Sequence, residues 1–221
     1  MRIIVLANGV LTNPESIHHW LSGVDLIIAA DGGARHCQTL GLVPQVIIGD
    51  MDSLEPHELD AFRASGVEII RHPPRKDYTD LELALRLAVD RGGTELLVLG
   101  ALGQRWDMTM ANMLLLTMSR LSGVVVRIID GAHEIMLMSD RDRVELSGRK
   151  GDILSLVPLG RDAIGVTLTG LEYPLKNDTL KVGSTRGISN VFLGPTAVVE
   201  LDRGLLLCIV LHHDQDATGS M

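Results

Sequence analysis

A chain of 221 residues, 46% hydrophobic and 22% charged, is long enough for one large domain or two modest ones around a packed core. Aromatic residues make up only 3%, so the core must be built from Leu, Ile, Val, Ala and Met, and few rings remain for a single-strand nucleic-acid binder. A formal net charge of −8 without a Lys/Arg cluster argues against a duplex-binding surface, but leaves room for a small phosphorylated ligand held by a metal and a few local donors.

Residues 2–7 read as a buried strand ended by Asn8-Gly9. Asn13-Pro14-Glu15 combines a helix cap, a proline at the first helical position and an acidic first turn, and predicts a helix to about Leu21. A second strand, 26–29, ends in Ala30-Asp31-Gly32-Gly33 and is followed by a helix over 34–40 that closes at Gly41. The third strand, 46–48, runs into Gly49-Asp50-Met51-Asp52-Ser53. Ser53 is expected to cap a helix that starts at Leu54-Glu55-Pro56 and ends near Ser65-Gly66. A fourth strand, 67–70, leads into the proline-stiffened loop from His72 to Asp77. Thr79-Asp80-Leu81-Glu82 fits a capping box, and Leu81, Leu85 and Ala88 give the following helix an apolar stripe. A fifth strand, 96–99, a loop from Gly100 to Asp107, a helix over 108–121 and a sixth strand, 124–129, complete this half.

Alternating strands and helices predict an α/β domain over 1–130 with a mostly parallel, Rossmann-like sheet covered on both faces. From about Gly131 helical periodicity disappears. Short apolar runs at 134–138, 143–146, 152–158, 163–169, 171–174, 187–192, 197–201 and 205–211 predict an all-β antiparallel sandwich over 131–213. Asp202-Arg203-Gly204 reads as a hairpin turn, and the tail, 214–221, as disordered. Cys37 and Cys208 are expected to be buried, reduced thiols. Residues 1–9 are too short for a signal core, and no segment is long and apolar enough to span a bilayer, so a cytoplasmic protein is expected.

The polar loops of the first half all follow strands, and in an open α/β sheet ligands bind at the carboxyl ends of strands. Asp50 and Asp52 repel each other unless a cation lies between them, which suits Mg²⁺ bound with substrate phosphates; capping the next helix is the alternative. Asp80 adds a third carboxylate, or simply favours its helix dipole. Asp31-Gly32-Gly33 is either a plain turn or a close backbone approach to a ligand at a helix N-terminus. Arg105 is placed to pair with a phosphate or with Asp107, and Asp107 to cap its helix. Asn112, a poor helix former, points at the site or at water, and Lys76 and Arg75 face phosphate or solvent. His18, His19, His212 and His213 read as solvated surface, and Met108, Met110, Met113 and Met118 as core. Arg186-Gly187-Ile188-Ser189-Asn190 interrupts a strand pattern with polar residues, as a bulge, a turn or a binding segment.

Taken in order, Asp31-Gly32-Gly33-Ala34, Gly49 to Ser53, Asp77 to Glu82, Gly103 to Asp107 and Ile188-Ser189-Asn190 resemble the successive signatures of the thiamin pyrophosphokinase family, over nearly the whole chain. The resemblance implies transfer of a diphosphoryl group from ATP to the thiamin hydroxyl, with AMP leaving, Mg²⁺ as cofactor, and a homodimer with active sites between the first domain of one chain and the sandwich of the other. It implies Asp50, Asp52 and Asp80 as metal ligands, joined by Arg105 and Asp107 in the catalytic centre. Asp31, Gly32, Gly33, Lys76, Asp77, Thr79 and Asn112 fall on the nucleotide side, and Ser189 and Asn190 on the thiamin side. Asp80 and Asp107 are the two candidates to accept the alcohol proton. Gln104 and Met108 depart from the family's usual glycine and histidine, and Phe192 is the candidate aromatic beside Ser189-Asn190. A pyrophosphokinase for another alcohol, such as hydroxymethylpterin, and a non-catalytic nucleotide or thiamin sensor are the rival readings.

Overall fold

Six apolar runs form parallel strands: β1 (Arg2–Leu6), β2 (Leu26–Ala30), β3 (Val46–Gly49), β4 (Glu68–Arg71), β5 (Glu95–Leu99) and β6 (Val125–Asp130). The computed structural model describes residues 1–213; the tail read as disordered lies outside the described residues. The chain forms two compact units, Met1–Gly131 and a second from Ala132 onward.

In the first unit β1 pairs with both β2 and β5; β2 continues to β3 and β4, and β5 to β6. The sheet thus grows in opposite directions from β1, and the gap between β1 and β5 is the point where an open α/β sheet offers a crevice. Every residue of β2 and β3 is buried, as a sheet covered on both faces requires. Helix α1 (Gly33–Thr39) packs on β1 and β2. Helix α3 (Asp80–Asp90) lies across β1, β2 and β3, burying Leu81, Ala84, Leu85 and Ala88. Between these come α2 (Pro56–Ala64) and, later, α4 (Trp106–Leu114).

Several helix boundaries differ from those read in the sequence. Pro14–Leu21 is a 3-10 helix, and Asn13, at φ 45°, makes no side-chain cap bond. Ser53 does not cap α2. Glu55 does, in a reciprocal box: its side chain accepts the third helical N–H, while the Glu58 carboxylate takes the Glu55 N–H at 2.8 Å. Helix α4 stops at Leu114 and gives way to two short 3-10 turns, Leu115–Thr117 and Ser119–Leu121, because Met118 between them is extended. Met110 is exposed and Met108, Met113 and Met118 are only partly covered, so these methionines do not form the core assigned to them.

The second unit packs two antiparallel sheets. One runs β7 (His133–Met138), β14 (Leu206–Leu211), β9 (Ile153–Pro158), β12 (Asn190–Val191). The other runs β11 (Leu175–Leu180), β10 (Ala163–Thr169), β13 (Thr196–Glu200), β8 (Arg143–Ser147). Leu154, Leu156, Phe192 and Leu206 from the first meet Val166, Leu168, Ala197 and Val199 from the second. Because β13 and β14 lie in opposite sheets, Asp202-Arg203-Gly204 is a crossover and not a hairpin turn. The run at 171–174 contributes only a Leu171–Phe192 bridge, and that at 187–192 only two strand residues, Ser189 being left-handed at φ 60°.

Cys37 and Cys208 are buried free thiols, and burial pushes both up to about 12. His212 is not solvated surface. Its Nδ1 lies 3.1 Å from buried Asp152 and its Nε2 3.5 Å from Glu134, while Asp152 also accepts the Arg149 N–H at 2.8 Å and the His213 N–H at 3.0 Å.

Two predictions follow from packing and charge. A Cβ at buried Gly33 would collide with the Leu6 carbonyl of β1, so Gly33→Ala should cost about 1–3 kcal/mol in urea unfolding, and unchanged stability would mean that α1 can lift off the sheet. Glu134 chiefly, then Asp152, raise the His212 pKa above 6.5 against the opposing effect of burial. A raised histidine pKa contributes stability that is complete below the unfolded value and is lost as pH rises through the folded one. In urea unfolding, His212→Gln should therefore destabilise the protein most below the unfolded histidine value of about 6.5, with the gap to wild type narrowing as pH rises through the raised folded value.

Candidate functional site

Four strand ends converge at the crevice. Asn8-Gly9 leaves β1 and is stitched to the segment leaving β5 by Gly9 N–H to Gly100 O (2.7 Å) and Val10 N–H to Leu102 O (2.8 Å). Asp31 leaves β2 and Asp50-Met51-Asp52 leaves β3. Asp31 N–H is held by Ile48 O at 2.9 Å, which locks the two carboxylate-bearing turns together. Both turns are left-handed at a non-glycine residue, Asp31 at φ 46° and Met51 at φ 67°, a strain of about 1–3 kcal/mol each that clusters at functional sites. Gly49 leaves room where a side chain could not: a Cβ there would sit 3.0 Å from both the Asp31 Cβ and Asp80 Oδ1. Together with the start of α3 and the loop before α4, these segments enclose a cavity of about 670 Å³.

Carboxylate oxygens of Asp31, Asp50 and Asp52 lie within 4.8 Å of one another. Asp80 adjoins this trio through a lysine. Lys76 Nζ is 2.8 Å from Asp50 Oδ2 and 3.1 Å from Asp80 Oδ1, the second contact being an ion pair whose alignment falls short of a hydrogen bond. Asp31 thus stands beside the expected Asp50 and Asp52, because β2 and β3 are adjacent and end level, while the expected Asp80 is joined to Asp50 through Lys76. The Lys76 hydrogen bond, chiefly, holds Asp50 below the usual carboxylate range. Asp80 is raised by burial, which Lys76 offsets only in part. Lys76 loses some basicity to burial but gains more from Asp50 and Asp80, so it stays charged. Asp31 is 4% exposed and its Oδ1 meets no donor. An all-oxygen donor set with one orphaned buried oxygen fits a hard divalent cation such as Mg²⁺.

The remaining expected residues divide. Thr79 lines the cavity and caps α3, its Oγ1 accepting the Glu82 N–H at 3.2 Å; the Glu82 carboxylate turns to Arg86 and leaves the capping box half made. Arg105 lines the cavity while pairing with Asp107 at 2.5 Å, both side chains being exposed. Asp107 is the second residue of α4 and not its cap. Asn112 is buried, donates to Ala101 O at 2.6 Å and keeps an unpartnered Oδ1. Neither Asp77, Asp107, Gly32 nor Gly33 is among the residues that line the cavity. The two glycines serve packing, since a Cβ on Gly32 would overlap the Asn8 side chain. Asn8, read in the sequence only as part of a polar strand end, reaches Ser53 Oγ with its Nδ2 at 3.1 Å; sequence reasoning missed Thr109, whose hydroxyl clamps Gly103 through N–H (3.1 Å) and O (3.2 Å). A threonine one turn inside a helix after a glycine loop was the available signal.

In the second unit Ser189 is exposed and its N–H donates to Ser155 Oγ at 3.1 Å. Asn190 is buried and spends its side chain on backbone: Oδ1 accepts from Tyr173 N–H (2.9 Å) and Val191 N–H (3.0 Å), and Nδ2 donates to Tyr173 O (2.8 Å). Phe192 is fully buried in the sandwich core and offers no stacking surface, which corrects its candidacy. The exposed ring beside this segment is Tyr173, at 62%, on the backbone that Asn190 clamps.

The family model for "Thiamin pyrophosphokinase, catalytic domain" matches residues 17–128, and that for "Thiamin pyrophosphokinase, vitamin B1 binding domain" matches residues 133–206. Thiamine pyrophosphokinase of Bacillus subtilis is 28% identical over 184 residues, covering 83% of this chain and 86% of that protein. Thiamine pyrophosphokinase 1 of Arabidopsis thaliana is 28% identical over 173 residues, covering 75% and 65%. The crystal structure of the Bacillus subtilis enzyme superposes with a TM-score of 0.86 at 26% identity, covering 97% of this chain and 100% of that one. That of the yeast thiamin pyrophosphokinase, at 20% identity, shares the fold with a TM-score of 0.76 over 95% and 86%.

The orphaned Asp31 oxygen yields a binding prediction. Asp31→Asn should weaken Mn²⁺ binding, read by calorimetry or electron paramagnetic resonance, by on the order of tenfold or more. Unchanged affinity would remove Asp31 from the ligand set.

Proposed function

We propose that this chain, which belongs to the thiamin pyrophosphokinase family, transfers the diphosphoryl group of ATP to the hydroxyl of thiamin and releases AMP. The observation that carries the proposal is the union of three carboxylates at the carboxyl ends of β2 and β3 with a half-buried lysine from the loop after β4, in a cavity also lined by Arg105 and Asn112. Phosphoryl-type transfer asks a protein for positioning and charge neutralisation more than for covalent chemistry, and that is what this arrangement can supply.

The thiamin hydroxyl oxygen attacks the β-phosphorus. The bond from that phosphorus to the α–β bridging oxygen breaks, and AMP departs with the oxygen. Asp31, Asp50 and Asp52 would hold Mg²⁺, which when bound would neutralise polyphosphate oxygens and polarise the β-phosphoryl group. Lys76 and Arg105 spread the charge that develops on the transferred group. Of the two carboxylates placed to take the alcohol proton, Asp80 fits better. It lines the cavity and burial raises its pKa, whereas Asp107 is exposed, lies outside the lining and is held below the usual range, chiefly by Arg105. Thr79 and Asn112 take the nucleotide side. Ser189 and Tyr173 take the thiamin side, with Asn190 acting through the Tyr173 backbone. The family likeness supports a homodimer in which the sandwich of one copy serves the cavity of the other. Two free thiols support a cytoplasmic setting. Pterin transfer and a turnover-free sensor are not favoured, since the relatives carry the thiamin pyrophosphokinase name and the carboxylate set is intact.

Purified protein should release AMP from ATP only with Mg²⁺ and thiamin together, and hydroxymethylpterin should not replace thiamin. Asp52→Asn should lower that rate by on the order of 10²-fold or more, the scale on which removing one preorganised charge-stabilising group acts. Near-normal turnover in this variant would falsify the assignment.

A further inference from the structure

Tyr78 is unexplained by the chemistry above. Its ring is 45% exposed, and it is the only aromatic residue among those that line the cavity. It is also held. The Arg86 guanidinium carbon stands 4.5 Å from the ring centroid, and Arg86 is fixed by Nε and Nη2 donating to one Glu82 oxygen at 3.0 and 2.8 Å. Glu82 in turn sits one turn into α3, where its N–H is anchored by Thr79. A guanidinium over an aromatic face is worth about 0.5–1 kcal/mol at exposed sites, enough to favour one ring orientation without burying it. Packing alone gives no reason to keep a large ring half open at a cavity wall.

The ring's neighbours say what it faces. Two residues before it Lys76 carries the positive charge that pairs with Asp50, and two residues after it Asp80 adjoins the carboxylate trio. A flat platform therefore lies on the same short segment as the polyphosphate-binding groups. The other apolar lining, from Val10, Leu102 and Met108, has no ring to offer. A ligand with a planar base at one end and phosphates at the other matches this layout.

We infer that Tyr78 is the platform on which the purine base of the nucleotide stacks, and that Arg86 and Glu82 are positioning residues that hold the ring in place. The inference rests on the nucleotide reading above and goes beyond it by assigning the base. It gives the site a means of distinguishing a nucleoside triphosphate from a bare polyphosphate chain.

The test compares two ligands on full-length protein by calorimetry with Mg²⁺ present: ATP and inorganic tripolyphosphate. Tyr78→Ala should weaken ATP by on the order of tenfold, the scale of one base–aromatic stack, and leave tripolyphosphate unchanged. Tyr78→Phe should retain ATP affinity. Arg86→Met should show a smaller loss for ATP alone, which a merely structural role in α3 would not confine to one ligand. Equal losses for both ligands in Tyr78→Ala would mean that the residue acts by holding the Lys76 loop, and would overturn the inference, as would no loss for either. Wild-type protein that binds tripolyphosphate but gains nothing from the nucleoside would overturn the nucleotide reading itself, and the base platform with it.

Discussion

Lys76 sits where four carboxylates would otherwise face one another. Asp31 and Asp50 arrive on adjacent strand ends, Asp52 on the same turn as Asp50, and Asp80 on the first turn of α3. Like charges at this spacing raise one another's pKa or push the backbone apart. A half-buried ammonium 2.8 Å from Asp50 and 3.1 Å from Asp80 removes part of that repulsion, so the strand ends can remain close and at least Asp50 can remain ionised. One positive charge against four negative ones still leaves the site short of cation. That deficit is the physical ground of the proposal that a divalent ion, and with it an anionic polyphosphate, completes the site.

The backbone is arranged to tolerate this crowding. The left-handed turns at Asp31 and Met51 would relax if they were free. Each is overdetermined, Asp31 by its hydrogen bond to Ile48 and the Met51 turn by the His72 N–H donating to Gly49 O at 2.7 Å. The sheet's own ladder thus carries the strain of the active turns. The glycines of this region are mostly about protein meeting protein: Gly33 lets α1 lie on β1, Gly32 admits Asn8, and Gly49 admits Asp31 and Asp80.

The parallel sheet was legible because its strands are continuous apolar runs separated by punctuating polar loops, and those loops line the candidate site. What escaped the sequence depended on neighbours that are distant along the chain. Asp31 could be read as a turn or as a ligand-side residue, but not as a neighbour of Asp50, because only the β2–β3 pairing brings the two level. Ser53 looked like the cap of α2 because serine usually is one, whereas two glutamates three apart did the work reciprocally. Asp202-Arg203-Gly204 has hairpin chemistry, yet local chemistry cannot say that the next strand joins the other sheet. Phe192 and Tyr173 were separable only by burial, which is a property of the folded sandwich: the first fills its core and the second stands outside it.

The position of β14 has a consequence for biosynthesis. It is the last strand among the described residues, yet it lies inside its sheet, with β7 on one side and β9 on the other. Those two strands have no ladder to each other and must wait, as the chain emerges, for residues 206–211 to be made. The six strands of the first unit are all available by residue 130. Domains generally fold as units in the order they are synthesised. The carboxylate-bearing half can therefore be in place on the ribosome while the sandwich is still an open set of strands with unpaired edges. A ribosome that stalls before residue 206 leaves a chain with the strand ends that bear the carboxylates but without the central strand of the sandwich sheet.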